Sequence, residues 1–225
     1  MAGGFGAFGK MPALGDFFRL EVAPGFVNVW DGWLQRAILA ARDRLGEGWH
    51  DCYMSAPIWR FTLAPGLAGP NPALGVLMPS VDRVGRQFPL TLVATPQGEL
   101  NPVSAHFDAA PVFEALEDLA LSALDDLPRD ALAERLGQIA WQPGVDPASV
   151  TLAPGRAVVT SGGAGGPLPA LAAGCLARDF RAPSVWSAEA ESGPRLMILE
   201  GLPDEAASVG LFDLTAAIWQ RREAA

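Results

Sequence analysis

One segment near the N-terminus constrains the fold more than any other part of the chain. Apolar residues recur at helical spacing from about residue 25 to residue 45, and Gly46 follows directly as a stop signal. The apolar face carries the large aromatic side chains of Phe26, Trp30 and Trp33. A face this bulky has to be buried, so the sequence predicts a long amphipathic helix packed against a second layer of structure.

The segments that follow are typical of β-strands and supply that second layer. Between residues 53 and 63, Trp59, Phe61 and Leu63 alternate with polar neighbours, which is the two-residue period of a strand. Two more strands are predicted at residues 74–78 and 88–95. Because Trp30, Trp33 and Trp59 lie at regular spacing, we expect them in the core, whereas Trp186 fits either a core or an interface.

The rest of the chain alternates irregularly between helices and strands. The predicted elements are helices at 111–125 and 129–139, a short strand at 158–160, a loop at 162–166, a helix at 168–176, a hairpin formed by 185–187 and 196–199, and a terminal helix at 211–222. With a half-hydrophobic composition, residues 1–225 suffice for one core. The sequence therefore predicts a single α/β domain with a mixed β-sheet flanked by α-helices and a helical insert around 111–139.

Charge and hydropathy exclude several classes of function. A net charge of −9 and a pI near 4.7 oppose binding to nucleic acid, which requires phosphate neutralisation. Apolar stretches end well before the ~20 residues of a membrane-spanning helix, so we expect no direct membrane insertion. The N-terminus lacks the pattern of a secretory signal, which predicts a cytoplasmic protein. In that compartment Cys52 and Cys175 are expected to be buried thiols rather than a disulfide.

The motifs for enzymatic chemistry are weak. Residues 4–10 match GxGxxG and the start of a phosphate-binding loop, but Met11 stands where Ser or Thr is needed and Pro12 interrupts the required helix. We therefore predict a glycine-rich first strand at this place. His50 and His106 have no paired ligand spacing, so each is interpreted as an ordinary surface or half-buried histidine. No catalytic, cofactor or metal residue is predicted.

Several polar residues nevertheless stand in apolar or Gly/Pro-rich surroundings. Residues 79–89 form a polar segment between two predicted strands, too long for a tight hairpin turn, and are expected to make an ordered, exposed loop. Isolated charges in such settings are usually paired internally or face a partner, and both interpretations can hold together. The predicted partner-binding residues are Lys10, Asp16, Ser80, Asp82, Arg83 and Arg86.

Four segments together carry a family resemblance. They are Phe-Gly-Lys-Met-Pro-Ala-Leu-Gly-Asp-Phe at 8–17, Phe-Val-Asn-Val-Trp-Asp-Gly-Trp-Leu at 26–34, Ala-Pro-Ile-Trp-Arg-Phe at 56–61, and Gly-Val-Leu-Met-Pro-Ser-Val-Asp-Arg-Val-Gly-Arg-Gln-Phe-Pro-Leu at 75–90. The chain resembles the TagF family of type VI secretion-associated proteins, most strongly over residues 1–95. Residues 184–187 and 201–203 resemble later signatures of the family, which often has a second Trp where this chain has Val185.

The resemblance implies a function that composition does not. It implies a non-enzymatic cytoplasmic regulator that represses type VI secretion after translation by binding a forkhead-associated component of the machine. Some members are fused to a PP2C-type phosphatase, whose acidic metal-binding motifs we do not find here, so that activity is not carried over. Two alternatives stay open: a structural accessory subunit of the secretion assembly, and a small-molecule or nucleotide-binding enzyme using the N-terminal glycines and one histidine.

Overall fold

The computed structural model describes residues 4–98, 100–141, 149–153, 157–161, 167–176 and 179–220. The strands are β1 (Gly6–Gly9), β2 (Phe18–Leu20), β3 (Trp59–Leu63), β4 (Ala73–Met78), β5 (Leu90–Ala94), β6 (Ser149–Ala153), β7 (Ala157–Ser161), β8 (Pro183–Ala188) and β9 (Arg195–Glu200). The α-helices are α1 (Pro24–Leu45), α2 (Trp49–Ser55), α3 (Pro102–Asp108), α4 (Ala110–Ser122), α5 (Arg129–Gln138), α6 (Pro167–Leu176) and α7 (Glu205–Phe212).

Seven strands form one open sheet in the order β2-β1-β5-β4-β3-β8-β9. Every pair in this sheet is antiparallel, and β6 pairs with β7 in a separate two-stranded sheet. The predicted α/β class, with helices flanking a sheet, is confirmed. The strand directions follow from the connections: β3, β4 and β5 succeed one another along the chain and lie side by side, joined by loops that reverse the chain direction.

Helix α1 packs its aromatic face on one side of the sheet, as predicted. Trp30 and Trp33 are buried and lie against Trp186 of β8, with ring centroids 6.1 and 5.4 Å from it. Trp59 is buried in the same cluster, so the core positions of all three predicted tryptophans are confirmed, and Trp186 belongs to the core as well. The Trp30 indole N–H donates to the Thr91 hydroxyl at 2.9 Å, which satisfies two buried polar groups and fixes the helix relative to β5.

The other side of the sheet is covered by the predicted helical insert. Helix α4 buries Phe113, Leu116 and Leu119, and α5 buries Leu132 and Leu136, all in one cluster with side chains of the central strands. Strands β4 and β5 are consequently buried along their whole lengths. This two-sided burial explains why their sequences are continuous apolar runs without alternation.

One strand boundary differs from the sequence prediction, and several short elements were not predicted. The predicted strand at 53–63 is confined to β3, because Tyr53 lies in α2 and the chain becomes extended only after Ser55. Helix α3 was not predicted; it begins at the Asn101 cap, whose side chain accepts from the backbone N–H groups of Val103 and Ser104. Strands β2 and β6 were also not predicted.

The predicted terminal helix at 211–222 is wrong. The helix begins after the Asp204 cap and ends at Phe212, since the Asp213 carboxylate accepts from both the N–H and the hydroxyl of Thr215 and turns the chain there. A short 3₁₀ turn, Ala217–Trp219, follows. The predicted loop at 162–166 lies outside the described residues. Within the described part of the chain, no helix is long and apolar enough to cross a membrane.

Candidate functional site

The loop at residues 79–89, called here the arginine loop, connects β4 to β5 and has a defined internal structure. Val81 and Gln87 form an isolated antiparallel bridge, and the Phe88 N–H donates to the Ser80 carbonyl at 3.1 Å. Gly85 makes the turn at the tip with a φ of 82°, a conformation that favours glycine. The arginine loop is therefore a short irregular hairpin. The prediction of an exposed loop holds only for its tip at residues 83–86, because Ser80, Asp82 and Phe88 are buried.

The Asp82 carboxylate organises this loop from inside. One oxygen accepts from the backbone N–H groups of Val84 and Arg86, at 3.1 and 2.9 Å. The other oxygen lies 3.0 Å from the Lys10 ammonium and accepts from the Arg86 guanidinium at 2.6 Å. The side chain of Asp82 is fully buried and that of Lys10 is 6% exposed, so this ion pair is screened from water.

The electrostatic surroundings keep Asp82 ionised. Desolvation by itself acts to raise the pKa of this carboxyl group, but hydrogen bonds from the Arg86 backbone, the Lys10 ammonium, the Arg86 guanidinium and the Val84 backbone outweigh it. The pKa of Asp82 is held well below its ordinary value. The loop conformation is consequently coupled to a charge that persists at physiological pH.

Two arginines tie the arginine loop to the segment that follows β1. The Arg83 N–H donates to the Leu14 carbonyl at 3.0 Å, and its guanidinium donates to the Ala13 carbonyl. The Arg86 guanidinium donates to the Gly15 carbonyl at 2.6 Å. Both arginines are exposed, and each uses part of its donor set on a backbone carbonyl.

Two side chains of helix α2 support the base of the same loop. The Tyr53 hydroxyl donates to the Ser80 carbonyl at 2.7 Å and accepts from the Ser80 N–H at 3.0 Å. The Trp49 indole N–H donates to the Gln87 side-chain carbonyl at 2.7 Å. The arginine loop is therefore held by Lys10, by residues 13–15 and by α2, and these contacts restrict the conformations open to its exposed tip.

An aromatic cluster covers the buried ion pair. The ring of Phe17 lies 4.7 Å from the ring of Phe88 and, at the same centroid distance, under the Lys10 ammonium. Phe8 packs against both rings. Phe17 is nevertheless 48% exposed, so one part of its ring shields Lys10 and another part faces solvent.

The structure divides the predicted partner-binding residues into two groups. Lys10, Ser80 and Asp82 are buried, and the charges of Lys10 and Asp82 are paired internally, which is one of the two interpretations that the sequence allowed. Asp16, Arg83 and Arg86 are exposed. Partner binding at this place stays a prediction, and only the exposed group can make direct contact in this conformation.

Sequence reasoning missed other parts of this site. It did not select Val84, which is 71% exposed at the loop tip, although an apolar residue between two arginines was a usable signal. It also missed Tyr53 and Gln87, whose contacts with the arginine loop depend on the tertiary fold.

The other candidate motifs have structural roles. Residues 6–9 form β1 between β2 and β5, as predicted for the glycine-rich segment. His50 is exposed, but His106 is buried, contrary to expectation, because Thr62 and Ser187 hydrogen-bond to its two ring nitrogens at 2.9 and 2.7 Å. Among the described residues, no group of three or more His, Cys, Asp or Glu side chains is placed to share a metal ion.

The prediction for the cysteines was partly wrong. Both thiols are free, but Cys52 is half-buried and Cys175 is exposed. Cys52 lies on α2, and burial, followed by the charges of Asp213 and Asp51, raises the pKa of its thiol. A raised pKa disfavours the reactive thiolate, so this site gives no sign of nucleophilic chemistry.

Comparisons with known proteins agree with this architecture. The family model of the TagF N-terminal domain, described as type VI secretion system-associated, matches residues 6–139, which include β1, the arginine loop and the helical insert. A crystal structure of PA0076 from Pseudomonas aeruginosa PAO1 is 28% identical, covers 98% of this chain and 99% of its own, and superposes with a TM-score of 0.79. No curated protein matches the chain. This chain belongs to the TagF family of type VI secretion system-associated proteins.

Proposed function

We propose that this chain is a non-enzymatic, cytoplasmic repressor of type VI secretion that acts by binding a forkhead-associated component of the secretion machine. The exposed tip of the arginine loop, formed by Arg83, Val84 and Arg86, makes the direct contact. Membership of the TagF family supports the connection to type VI secretion. The observation that carries the proposal is a loop held by internal bonds that exposes one apolar and two cationic side chains.

Rigidity supports binding because a loop that is already ordered loses little conformational entropy when a partner docks. The buried Lys10–Asp82 pair and the bonds to residues 13–15 fix the loop in the free protein. Val84 supplies an apolar anchor, and the arginines supply donors suited to carboxylates. Buried anchors surrounded by polar contacts are the usual energetic centre of an interface.

Titration calorimetry with the purified forkhead-associated component tests the proposal. Val84→Asp changes only exposed side-chain atoms at the tip, whereas Arg83→Glu also removes the guanidinium bond to Ala13 but keeps the bond from the backbone N–H of residue 83 to Leu14. Neither substitution removes a ligand of Asp82, so we expect both variants to fold normally and to abolish binding. Arg44→Glu is the matched control, because Arg44 is also exposed but lies on α1. Binding that all three variants retain at parental affinity contradicts the assignment of the tip.

A secretion assay distinguishes a repressor from a structural accessory subunit. If the chain represses, deleting its gene raises secretion of a type VI substrate, and the Val84→Asp variant fails to restore repression. A structural subunit gives the opposite result, since its loss lowers secretion and the protein is retained stoichiometrically in the purified machine. An increase in secretion after deletion therefore supports repression, and a decrease refutes it.

A further inference from the structure

An open groove continues from the arginine loop along the neighbouring segment. Residues 14–19 and Arg129 line this space of about 470 Å³. Its position next to the loop is fixed, because Arg83 and Arg86 bond to the carbonyls of residues 13–15. We call this space the basic groove, and together with the loop tip it forms one continuous surface.

The basic groove has an apolar wall. Phe17 is 48% exposed here while its ring remains packed on Phe88. Leu14 is half-buried in the same wall, and Val84 projects from the adjoining loop tip with 71% exposure. Exposed large apolar side chains that are rimmed by charge are typical of interaction sites.

The charge of this surface is opposite to that of the whole protein. The charged side chains that line the groove are Arg19, Arg129 and Asp16, and the loop tip adds Arg83 and Arg86. Asp16 accepts a hydrogen bond from the N–H of the next residue, at 2.8 Å, and gives the surface its single lining carboxylate. The surface is therefore cationic on a chain whose net charge is −9, so it attracts acidic partners and the rest of the chain repels them.

The Arg129 guanidinium lies at the groove, where it can donate hydrogen bonds to an acidic partner. It stands at the first position of α5, and one of its nitrogens donates to the Arg19 carbonyl at 3.1 Å. That bond holds the guanidinium at the groove, and within the part of the chain that the structure describes its other N–H groups have no hydrogen-bond partner. A guanidinium held in this way is arranged for a two-point contact with a carboxylate.

We propose that the basic groove and the loop tip together bind an acidic segment of a partner protein that carries a bulky apolar side chain. This inference rests on the proposed function, of which it names the recognised chemistry. The apolar side chain packs against Phe17, and flanking carboxylates pair with Arg19 and Arg129 on one side and with Arg83 on the other. A simple anion satisfies the cationic rim but leaves the apolar wall uncovered, which distinguishes the acidic segment from a phosphate ligand.

Fluorescence anisotropy with a labelled pentapeptide, one phenylalanine flanked by two glutamates on each side, tests the chemistry directly. We expect binding that weakens with salt, and at least about tenfold weaker binding, equivalent to ~1.4 kcal/mol, when glutamine replaces glutamate or alanine replaces phenylalanine. The double variant Arg19→Glu, Arg129→Glu is expected to lose at least as much. Arg129→Glu places an acid in the first turn of α5, where the helix dipole favours it, so the fold is retained.

The control variant is Arg36→Glu on the exposed side of α1, which we expect to leave peptide affinity unchanged. The inference is overturned if the glutamine peptide binds as well as the glutamate peptide, if the groove variant binds like the parent, or if inorganic phosphate competes as effectively as the peptide. Calorimetry with the forkhead-associated component separates the two proposals. Component binding that the acidic peptide does not displace refutes the groove alone, whereas peptide binding without component binding refutes the proposed function alone.

Discussion

Replacing Gly9 with alanine tests whether the close approach of β1 to the end of the arginine loop positions Lys10. Gly9 has a φ of 130°, and a Cβ atom there would lie 2.0 Å from the Pro89 carbonyl oxygen. The backbone strain is worth ~1–3 kcal/mol. Forcing an atom into this packed position costs a further ~1–3 kcal/mol. We therefore expect Gly9→Ala to lower the free energy of unfolding by about 2–6 kcal/mol.

Two matched glycine variants separate the strain from the clash. Gly85 has a φ of 82°, but no atom lies within 4 Å of its added Cβ, so Gly85→Ala should show the strain alone, ~1–3 kcal/mol. Gly4 is exposed, has open space and lacks a positive φ, so Gly4→Ala should be neutral or stabilising by up to ~1 kcal/mol.

Urea denaturation followed by tryptophan fluorescence measures the three free energies, because the chain has seven tryptophans. In a thermal scan each kcal/mol corresponds to a shift in Tm of ~2–4 °C for a protein of this size. A Gly9→Ala variant as stable as Gly4→Ala would refute the packing of β1 against Pro89. If Gly9→Ala and Gly85→Ala lose the same stability, backbone strain alone accounts for the effect, and the clash with Pro89 makes no contribution.

Further predictions concern buried polar groups. Burial, followed by the charge of Arg60, lowers the pKa of His106 to about 3 from an ordinary 6.5. Between these pH values the unfolded state binds a proton that the folded state does not, so the free energy of unfolding should fall as the pH drops through this window. Urea denaturation at each pH should show a smaller pH dependence of this free energy for His106→Gln than for the parent. The pKa of Asp82 is also lowered, so the ionised carboxylate contributes fully to folding stability above pH 3.8, the ordinary pKa of an Asp. This contribution should be lost only at lower pH, where the backbone amides of the arginine loop should become accessible to hydrogen exchange. Thr91→Val leaves the Trp30 indole N–H without its partner and should lower the free energy of unfolding by ~1–3 kcal/mol. A double-mutant cycle with Trp30→Phe, measured by urea denaturation, should show a coupling of ~0.5–3 kcal/mol between the two residues. Additive losses of stability would contradict the hydrogen bond.

The parts of the fold that were predicted correctly are those with a strong local signal, either a helical period or a run of apolar residues. Helix α1 has 22 residues and repeats its apolar face over several turns, and the chain positions of β3, β4 and β5 follow from short runs of apolar and β-branched residues. Elements of a few residues leave no such pattern. Strand β2 has three residues and depends on pairing with β1, which no local sequence feature reveals.

The terminal helix was misplaced because apolar spacing continued past the true end of the helix. Leu211, Ile218 and Trp219 fit a helical pattern, but Asp213 turns the chain, and the Trp219 indole folds back to donate to the Gly210 carbonyl at 2.8 Å. Hydrogen bonding by the Asp213 side chain therefore ends helix α7 at Phe212, although the apolar spacing continues beyond it. Periodicity alone carries no information about such a competition.

The candidate site shows a similar limit for charged residues. The sequence indicated that Lys10, Asp82 and Arg86 matter, since each charge stands in an apolar or Gly/Pro-rich context. It gave no means to place Lys10 and Asp82 in contact, because they are 72 positions apart and meet only when β1 joins β5 in the sheet. Local sequence context consequently selected residues that lie together in the structure, but it left the burial of each side chain undetermined.

That distribution of burial changes how variants at this site have to be interpreted. Reversing Asp82 would leave Lys10 and Arg86 facing a third positive charge and would collapse the loop, so lost binding would follow whether or not Asp82 touches a partner. Val84 and Arg83 lie at the tip, and their side chains are not ligands of the carboxylate. Only variants of this exposed kind test recognition, because they change the surface offered to a partner while the buried charges that shape the loop stay in place.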